Sequence, residues 1–321
     1  MNKLASIIIL TYNSAKYIEN CLGSVFNQTH KNFEILVIDN NSKDETMSRI
    51  ERIGNNAKIE LILNKENTGY AAGNNLGIRK SRGEYIFLVN PDVVLDTGFV
   101  KEIIDEFEKD STVGSMQGKI YQLIGNQKTK IIDTLGFEVF KSGRIIDKGQ
   151  GNKDNGKYDE KKEIFGVNGA VPAYRRRALN EVKLREEYLD EDFFCYVEDI
   201  DLAWRLKSMG WKSFFLPTAI AWHDRTSSKS ISGGWKKFRE TRKSQSLWMR
   251  KISWRNTWLL FVKNLPFSWF FRPQFLKRQI KFFFYLLFFE PRVLFSVFEI
   301  IKLLPKMIKK REVILSRKKI C

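Results

Sequence analysis

Short apolar runs and amphipathic segments alternate through the first third of this chain. Residues 6–10 and 33–38 are rich in β-branched side chains, 59–63 and 85–89 are similarly apolar, and each run has the length of a strand. Between them, apolar positions recur at helical spacing. In 14–27 these are Tyr17, Ile18, Cys21, Leu22 and Val25, with Asn13 or Ser14 as the expected N-cap. Residues 43–53 and 71–81 repeat that spacing, and Gly83 stands where a helix-ending glycine would. Strands alternating with helices in this way predict βαβ units and a mostly parallel sheet, an α/β fold. Beyond them, 97–109 predicts a helix and 113–120 a strand. Residues 124–163, rich in Gly, Lys, Asn and Asp, predict hairpins and loops over one face, and apolar character with glycines returns over 164–173. A strongly amphipathic helix over 200–209, stopped by Gly210, leads to a last strand at 211–216.

Each of the first four strands runs directly into short polar residues: Thr11-Tyr12-Asn13, Asp39-Asn40-Asn41-Ser42, Asn67-Thr68-Gly69 after the third, and Asn90-Pro91-Asp92. In open α/β sheets the ligand crevice lies at the carboxyl ends of the strands. Pro91 cannot donate to a ladder, so the strand at 85–89 should stop there and leave Asp92 at its carboxyl end. A carboxylate so placed can hold a divalent cation against a phosphate-bearing substrate. A polar turn closing a strand is the other reading of these residues. No GxGxxG follows the first strand and no GxxxxGK[ST] occurs, which excludes a dinucleotide redox fingerprint and a P-loop.

A second acidic stretch, from Asp190 to Asp201, places six carboxylates within twelve residues, interleaved with Phe193, Phe194 and Tyr196. Capping and helix-dipole complementarity account for part of it, since Glu198, Asp199 and Asp201 open the amphipathic helix. A carboxylate beside those rings can also serve as a desolvated general base. His223 follows a predicted strand and is a candidate metal ligand, whereas His30 lies in a polar loop and reads as incidental.

Together these pieces resemble family 2 glycosyltransferases of the GT-A fold. The resemblance covers residues 4–93 and 163–225. It rests on Ser6 to Asn13, on Gln28-Thr29 before Phe33 to Ser42, on Asn67-Thr68-Gly69-Tyr70-Ala71-Ala72-Gly73-Asn74-Asn75, on Asn90-Pro91-Asp92, and on Glu198-Asp199 through Trp211 to His223. Within the family the chain looks most similar to the rhamnosyltransferase-like branch, through Asp190-Glu191-Asp192-Phe193-Phe194 and Glu198-Asp199-Ile200-Asp201-Leu202.

The resemblance implies a GT-A nucleotide-diphospho-sugar transferase fold with a Rossmann-like sheet. It implies that Thr11, Asn13, Asp39, Asn67 and Gly69 line the nucleotide pocket. Asp92 and His223 would hold Mn2+ or Mg2+, and Asp199 would be the catalytic base. Gly169 and Glu198 would fall on the acceptor side. Asn90 replaces the first aspartate of the family's Asp-x-Asp metal motif and brings an amide in place of a charge. The implied reaction is a single inverting displacement from a nucleotide-sugar donor, for this branch dTDP-rhamnose, onto an acceptor hydroxyl. A catalytically silent nucleotide-sugar or lipid-binding scaffold is the alternative, and a scaffold would not need both Asp92 and Asp199.

Charge changes the picture at the carboxyl end. From Thr226 onward there are 23 Lys and Arg against 4 Asp and Glu, out of 55 and 37 in the whole chain, so the residues before it are almost neutral. This stretch also carries Trp235, Trp248, Trp254, Trp258, Trp269 and many phenylalanines, and its longest uncharged apolar block is 282–289. Such a block is far short of the roughly 18–20 residues that span a bilayer. Trp and Phe mixed with Lys and Arg suit an anionic membrane surface. That reading is taken over nucleic acid, and it is compatible with helices packed on the body behind a solvated basic face. The expected division is a GT-A domain over 1–225 and a basic amphipathic helical region over 226–321. The expected setting is peripheral, on the cytoplasmic face of the cell membrane, with a lipid-linked saccharide as acceptor. Cys21, Cys195 and Cys321 are odd in number and form no CxxC, which fits a reducing compartment. Residues 4–10 run into Thr11-Tyr12-Asn13 without a small-residue cleavage site, so they predict a strand and not a signal peptide.

Overall fold

The computed structural model describes residues 3–54, 59–225 and 235–317. Strands and helices alternate first: β1 (Ala5–Thr11), α1 (Ala15–Phe26), β2 (Phe33–Asp39), α2 (Thr46–Gly54), β3 (Ile59–Leu63), α3 (Gly69–Lys80) and β4 (Tyr85–Val89). Next come β5 (Val93–Leu95), α4 (Phe99–Lys109), β6 (Val113–Ile124), β7 (Gln127–Thr134), β8 (Phe137–Val139), β9 (Ile145–Asp147), β10 (Lys162–Ile164), β11 (Ala173–Arg175), α5 (Arg176–Val182), α6 (Glu198–Ser208) and β12 (Lys212–His223). The helices α7 (Trp235–Ser244), α8 (Leu247–Asn264), α9 (Pro273–Phe289), α10 (Pro291–Leu294) and α11 (Val297–Arg317) follow.

The main sheet has the order β10-β12-β6-β11-β4-β1-β2-β3, with β5 beside β12 and β7 beside β6. β4, β1, β2 and β3 are parallel, so their carboxyl ends share one edge, and Thr11 stands directly across from Asp39. β11 is inserted antiparallel between β4 and β6, while β6 and β12 run parallel to each other. Alternate residues of β1 point to opposite faces, as the strand period requires. Ile7 and Ile9 pack with Leu22, Val25, Phe87 and Phe99, whereas Ile8 packs with Ile78, Leu88, Leu202 and Leu206.

Three local expectations change. The strand expected to end at 216 continues to His223, because a register shift between Leu216 and Ile220 absorbs Pro217 and lets pairing resume beyond it. Gly83 is not a left-handed cap: α3 ends at Lys80 with Ser81 extended. A Cβ on Gly83 would lie 2.6 Å from the backbone nitrogen of Ser6, so glycine is there to let two backbones approach. Ser14 makes no side-chain cap on α1. Asp44 from the following loop accepts from Ala15 N–H at 3.1 Å instead.

The boundary expected after Arg225 abuts residues 226–234, which lie outside the described residues, as does Cys321. The helices beyond it share a core with the body. Phe193 packs with Leu259, Leu260 and Phe261 of α8, with Phe275 of α9 and with Met307 of α11. Lys263 of α8 has no exposed side-chain surface and lies 2.5 Å from Asp190 and 2.8 Å from Asp201. Among the described residues no helix is long and apolar enough to cross a membrane.

Removing one partner from a buried ion pair leaves uncompensated charge, at a cost of about 3–5 kcal/mol. Lys310 and Arg205 also pair with the two carboxylates, so the effect should fall at the low end. Lys263→Ala is expected to destabilise the chain by about 3 kcal/mol, read as a lower midpoint in denaturant or thermal unfolding.

Candidate active site

Thr11, Asn13 and Asp39 meet where β1 and β2 end. Thr11 Oγ1 donates to Asp39 Oδ1 at 2.9 Å, and Asp39 also accepts from Ser42 N–H at 2.8 Å and from the Ser42 hydroxyl. Asn13, left-handed at φ +50°, accepts from Lys43 N–H at 2.7 Å. Asn40 is a hub that sequence reading passed over. Its Nδ2 donates to Asn67 Oδ1 at 3.2 Å and to Gly69 carbonyl at 3.1 Å, and its Oδ1 accepts from Asn64 and Thr68. Gly69, at φ +84°, starts α3, and a Cβ there would fall 2.6 Å from the Phe194 carbonyl. The expected nucleotide pocket and the second acidic stretch are therefore in contact.

At the next strand end, Asn90 N–H donates to Ala170 carbonyl at 3.0 Å, fixing the start of Asn90-Pro91-Asp92. Asp92 faces His223 Nε2 at 3.3 Å, and the opposite nitrogen, Nδ1, lies 2.9 Å from Asp133. Asp133, on β7, has no exposed side-chain surface and also pairs with Arg225 at 2.9 Å. Arg225 reaches Asp147 of β9 at 3.0 Å, and Asp147 accepts from Asn168 Nδ2 at 2.8 Å. Burial alone would lower the basicity of His223, but the carboxylates on its two nitrogens lift its pKa to about 9. Asp133 is held below its ordinary range, because the imidazolium and guanidinium outweigh the effect of burial.

The six carboxylates of the second acidic stretch separate into two groups. Asp190 pairs with Lys263 and Lys310, Asp192 with Lys306 and Lys310, and Asp201 with Arg205 and Lys263. Glu191 accepts from Asn75 Nδ2 at 2.9 Å. Glu198 and Asp199 face no cation among the described residues. Asp199 accepts from Gly169 N–H and from Ile200 N–H, both at 2.8 Å. Burial pushes its pKa up to about 6 against those two bonds, and Asp147 adds to the rise. Glu198 is 5% exposed, its Oε2 has no hydrogen-bond partner among the described residues, and burial beside Asp199 pushes its pKa far up. Gly169 carbonyl accepts from the Tyr70 hydroxyl at 2.6 Å.

The backbone just before this pair is strained. Phe194 adopts φ +64°, ψ −62°, with Cys195 N–H donating to Phe193 carbonyl at 2.7 Å, which is the rare γ-turn of positive φ. Tyr196 and Val197 follow at φ +68° and +80°. Left-handed non-glycine residues cost on the order of 1–3 kcal/mol each and persist only when their surroundings over-determine them.

The sequence profile described as Glycosyl transferase family 2 matches residues 6–183. The chain belongs to that family. An uncharacterised glycosyltransferase of Haemophilus influenzae is 32% identical over 130 residues, 40% of each chain. The poly-beta-1,6-N-acetyl-D-glucosamine synthase of Staphylococcus epidermidis is 24% identical over 231 residues, 72% of this chain and 52% of that one. The chain thus spans about half or less of these relatives' lengths. Among solved structures, GalNAc-T7 with UDP, GalNAc and Mn2+ superposes with a TM-score of 0.60 at 17% identity, covering 80% of this chain and 48% of that one. The mannosyltransferase of Pyrobaculum calidifontis with GDP-Man and Mn2+ gives 0.54 at 16% identity, covering 97% and 74%. These likenesses show the GT-A fold.

For a family 2 glycosyltransferase, the Asp92–His223 pair fits a divalent cation. A carboxylate and an imidazole nitrogen face each other, and the imidazole's other nitrogen is engaged by a carboxylate, as is usual for metal-ligating histidine. A cation there would replace the proton that Nε2 otherwise holds towards Asp92. Among the described residues no group of three His, Cys, Asp or Glu is placed to hold a metal ion. Asp133, Asp147 and Arg225 had no signal in the sequence; the two aspartates sit in the hairpin segment, where Asp and Asn are ordinary turn residues.

With only two histidines in the chain, the His223 ring is easily followed by NMR. Without metal its midpoint should lie near 9. In Asp133→Asn it should fall by about one unit, because a carboxylate that favours the charged ring has gone.

Proposed function

We propose that this chain is an inverting, metal-dependent glycosyltransferase acting on a lipid-linked saccharide at a membrane surface. The observation that carries the reading is the contrast within 190–201: four carboxylates are bonded to partners, while Asp199 accepts only from backbone N–H groups among the described residues, and burial raises its pKa to about 6 and that of neighbouring Glu198 further. Environments that push two neighbouring carboxyls apart mark an acid–base site. Thr11, Asn13, Asp39, Asn67 and Gly69 line the nucleotide pocket, and Asn90 and Asp92 approach the ribose and diphosphate. Bound to Asp92 and His223, Mn2+ or Mg2+ supplies charge against the leaving diphosphate. Asp199 takes the proton of an acceptor hydroxyl. That oxygen bonds to the anomeric carbon as the bond from this carbon to the diphosphate oxygen breaks, which gives one displacement with inversion. Gly169 orients Asp199 through its N–H. The rhamnosyltransferase-like motifs favour dTDP-rhamnose as donor, and a thermal-shift screen of UDP-, GDP- and dTDP-sugars tests that choice.

Membrane association is supported by the outward faces of the last helices. On α9, Leu276, Ile280, Phe283, Phe284, Leu287 and Phe288 are all exposed and recur at three- and four-residue spacing, a single outward stripe. Lys277 and Lys281 lie on the same helix. A stripe of this kind beside basic residues suits the headgroup boundary of a cytoplasmic leaflet, where a lipid-linked acceptor would be presented.

Asp199→Asn should retain donor binding and lose transfer by about 10²–10⁴-fold, the usual worth of a general base. Unchanged turnover would remove Asp199 from the mechanism. In the unsubstituted enzyme kcat/KM should fall as pH drops through about 6, because the base is lost on protonation. Phe284→Ser with Phe288→Ser should cut co-sedimentation of the full chain with phosphatidylglycerol vesicles while leaving unfolding unchanged, since both side chains are at least half exposed. Undiminished sedimentation would place the contact elsewhere.

A further inference from the structure

The three left-handed residues ahead of Asp199 need something to hold them, and it comes from outside the GT-A body. We propose that Asn256, on α8, is a positioning residue for Asp199: its side-chain amide holds the loop over 193–197 in the conformation from which α6 starts. The inference rests on Asp199 being the base.

Asn256 is fully buried. Its Nδ2 lies 2.9 Å from the carbonyls of Phe193 and Cys195 and 2.8 Å from that of Tyr196. An amide nitrogen has two hydrogens, so one is shared between two acceptors. The orientation of the amide is set by its other end, where Arg255 Nε donates to Asn256 Oδ1 at 3.0 Å. Arg255 also donates to the carbonyls of Asp192 and Phe193, at 3.1 and 3.2 Å. Carbonyl dipoles that converge on one buried point repel one another and go unsatisfied unless a donor sits at the focus. The γ-turn at Phe194 and the positive φ of Tyr196 and Val197 produce this convergence.

On the body side of the loop, Ala71 N–H donates to the Phe194 carbonyl at 3.1 Å. Val197 is the N-cap of α6, and Asp199 lies in its first turn. The direction in which the loop delivers the chain therefore sets where the Asp199 carboxylate points. Asn256 and Lys263 are seven residues apart, on one face of α8. That face grips the acidic stretch at two places, the loop through Asn256 and the Asp190–Asp201 pair through Lys263. Asparagine is also a poor helix former, and a role at this position explains its place in the interior of α8.

The test uses the full chain with Asn256→Ala and Asn256→Asp, the latter isosteric but placing an acceptor against the carbonyls. In nucleotide-free protein, hydrogen exchange of the amides over 193–201 should quicken by about tenfold or more, while the sheet amides keep their protection. With the donor the unsubstituted enzyme turns over, kcat should drop by about 10²-fold and donor KM stay within about twofold, as expected when a catalytic group is misplaced by an ångström. Exchange that quickens everywhere, or a rate loss matched by the loss of folded protein at the assay temperature, would overturn the proposal, as would unchanged kcat. Should either variant fail to fold, Arg255→Lys keeps a cation facing Glu299 while withdrawing the Nε donor from Asn256. It should shift exchange and kcat in the same direction by a smaller factor, and no shift in either would overturn the proposal. The exchange measurement does not depend on turnover, so its failure is distinct from an Asp199→Asn result that removes the base.

Discussion

Lys263 lies without solvent exposure between Asp190 and Asp201. Taking three charges out of water costs several kcal/mol per ion, and attraction offsets that only where every remaining lone pair and proton is met. Here they are met: Asp190 also receives Lys310, and Asp201 also receives Arg205 and Asn264. Asp190 is accordingly held far below its ordinary pKa despite its burial. The ion cluster joins the turn at 190–193, the start of α6, α8 and α11 into one unit. A GT-A body cut off before α8 would leave two buried carboxylates short of a cation, so the helices cannot be treated as a detachable anchor. Removing them to test membrane binding would disturb the catalytic segment as well.

This cluster also decides which carboxylates are available for chemistry. Buried acids on the β7 side and on the α6 side shift in opposite directions, although both are desolvated. Asp133 is lowered because His223 and Arg225 sit against it, whereas Glu198 and Asp199 are raised because burial is opposed only by backbone N–H groups among the described residues. Burial supplies the same penalty in each place, and the presence of a cation sets the sign. The cations of the carboxyl-terminal helices neutralise Asp190, Asp192 and Asp201 and stop short of the Glu198–Asp199 pair. On the β7 side the carboxylates are thus matched by His223 and Arg225, whereas Glu198 and Asp199 face no cation among the described residues.

Much of this was legible in the sequence, and the parts that were not have a common cause. β1 to β4 followed from apolar runs, because strand pattern is local. The acidic stretch was visible, but its division into structural and free carboxylates was not. That division depends on Lys263 and Lys310, 62 to 120 positions away. Asp133 lies 90 positions before His223. Asn256 sits among Trp254, Arg255, Trp258, Leu259 and Leu260, where its neighbours signal only a basic, aromatic-rich helix. The extension of β12 past Pro217 required knowing that a bulge could absorb the proline. The resemblance to the family carried the site residues whose partners the local pattern could not supply.

The basic excess of the last 96 residues therefore needs a different interpretation from the one composition suggests. Part of it is internal: Lys263 and Lys310 face the acidic stretch, Arg255 and Arg311 hold backbone carbonyls, and Arg242 pairs with Glu290. Those cations are unavailable to lipid headgroups. What faces outward on α9 is mainly apolar, with Phe288 72% exposed. Fully burying such a side chain is worth roughly 1.5–3 kcal/mol, against about 1 kcal/mol for each basic residue near an anionic surface. For the lipid surface proposed above, apolar insertion outweighs charge, and added salt, which screens only the charge, should leave most of the affinity in place.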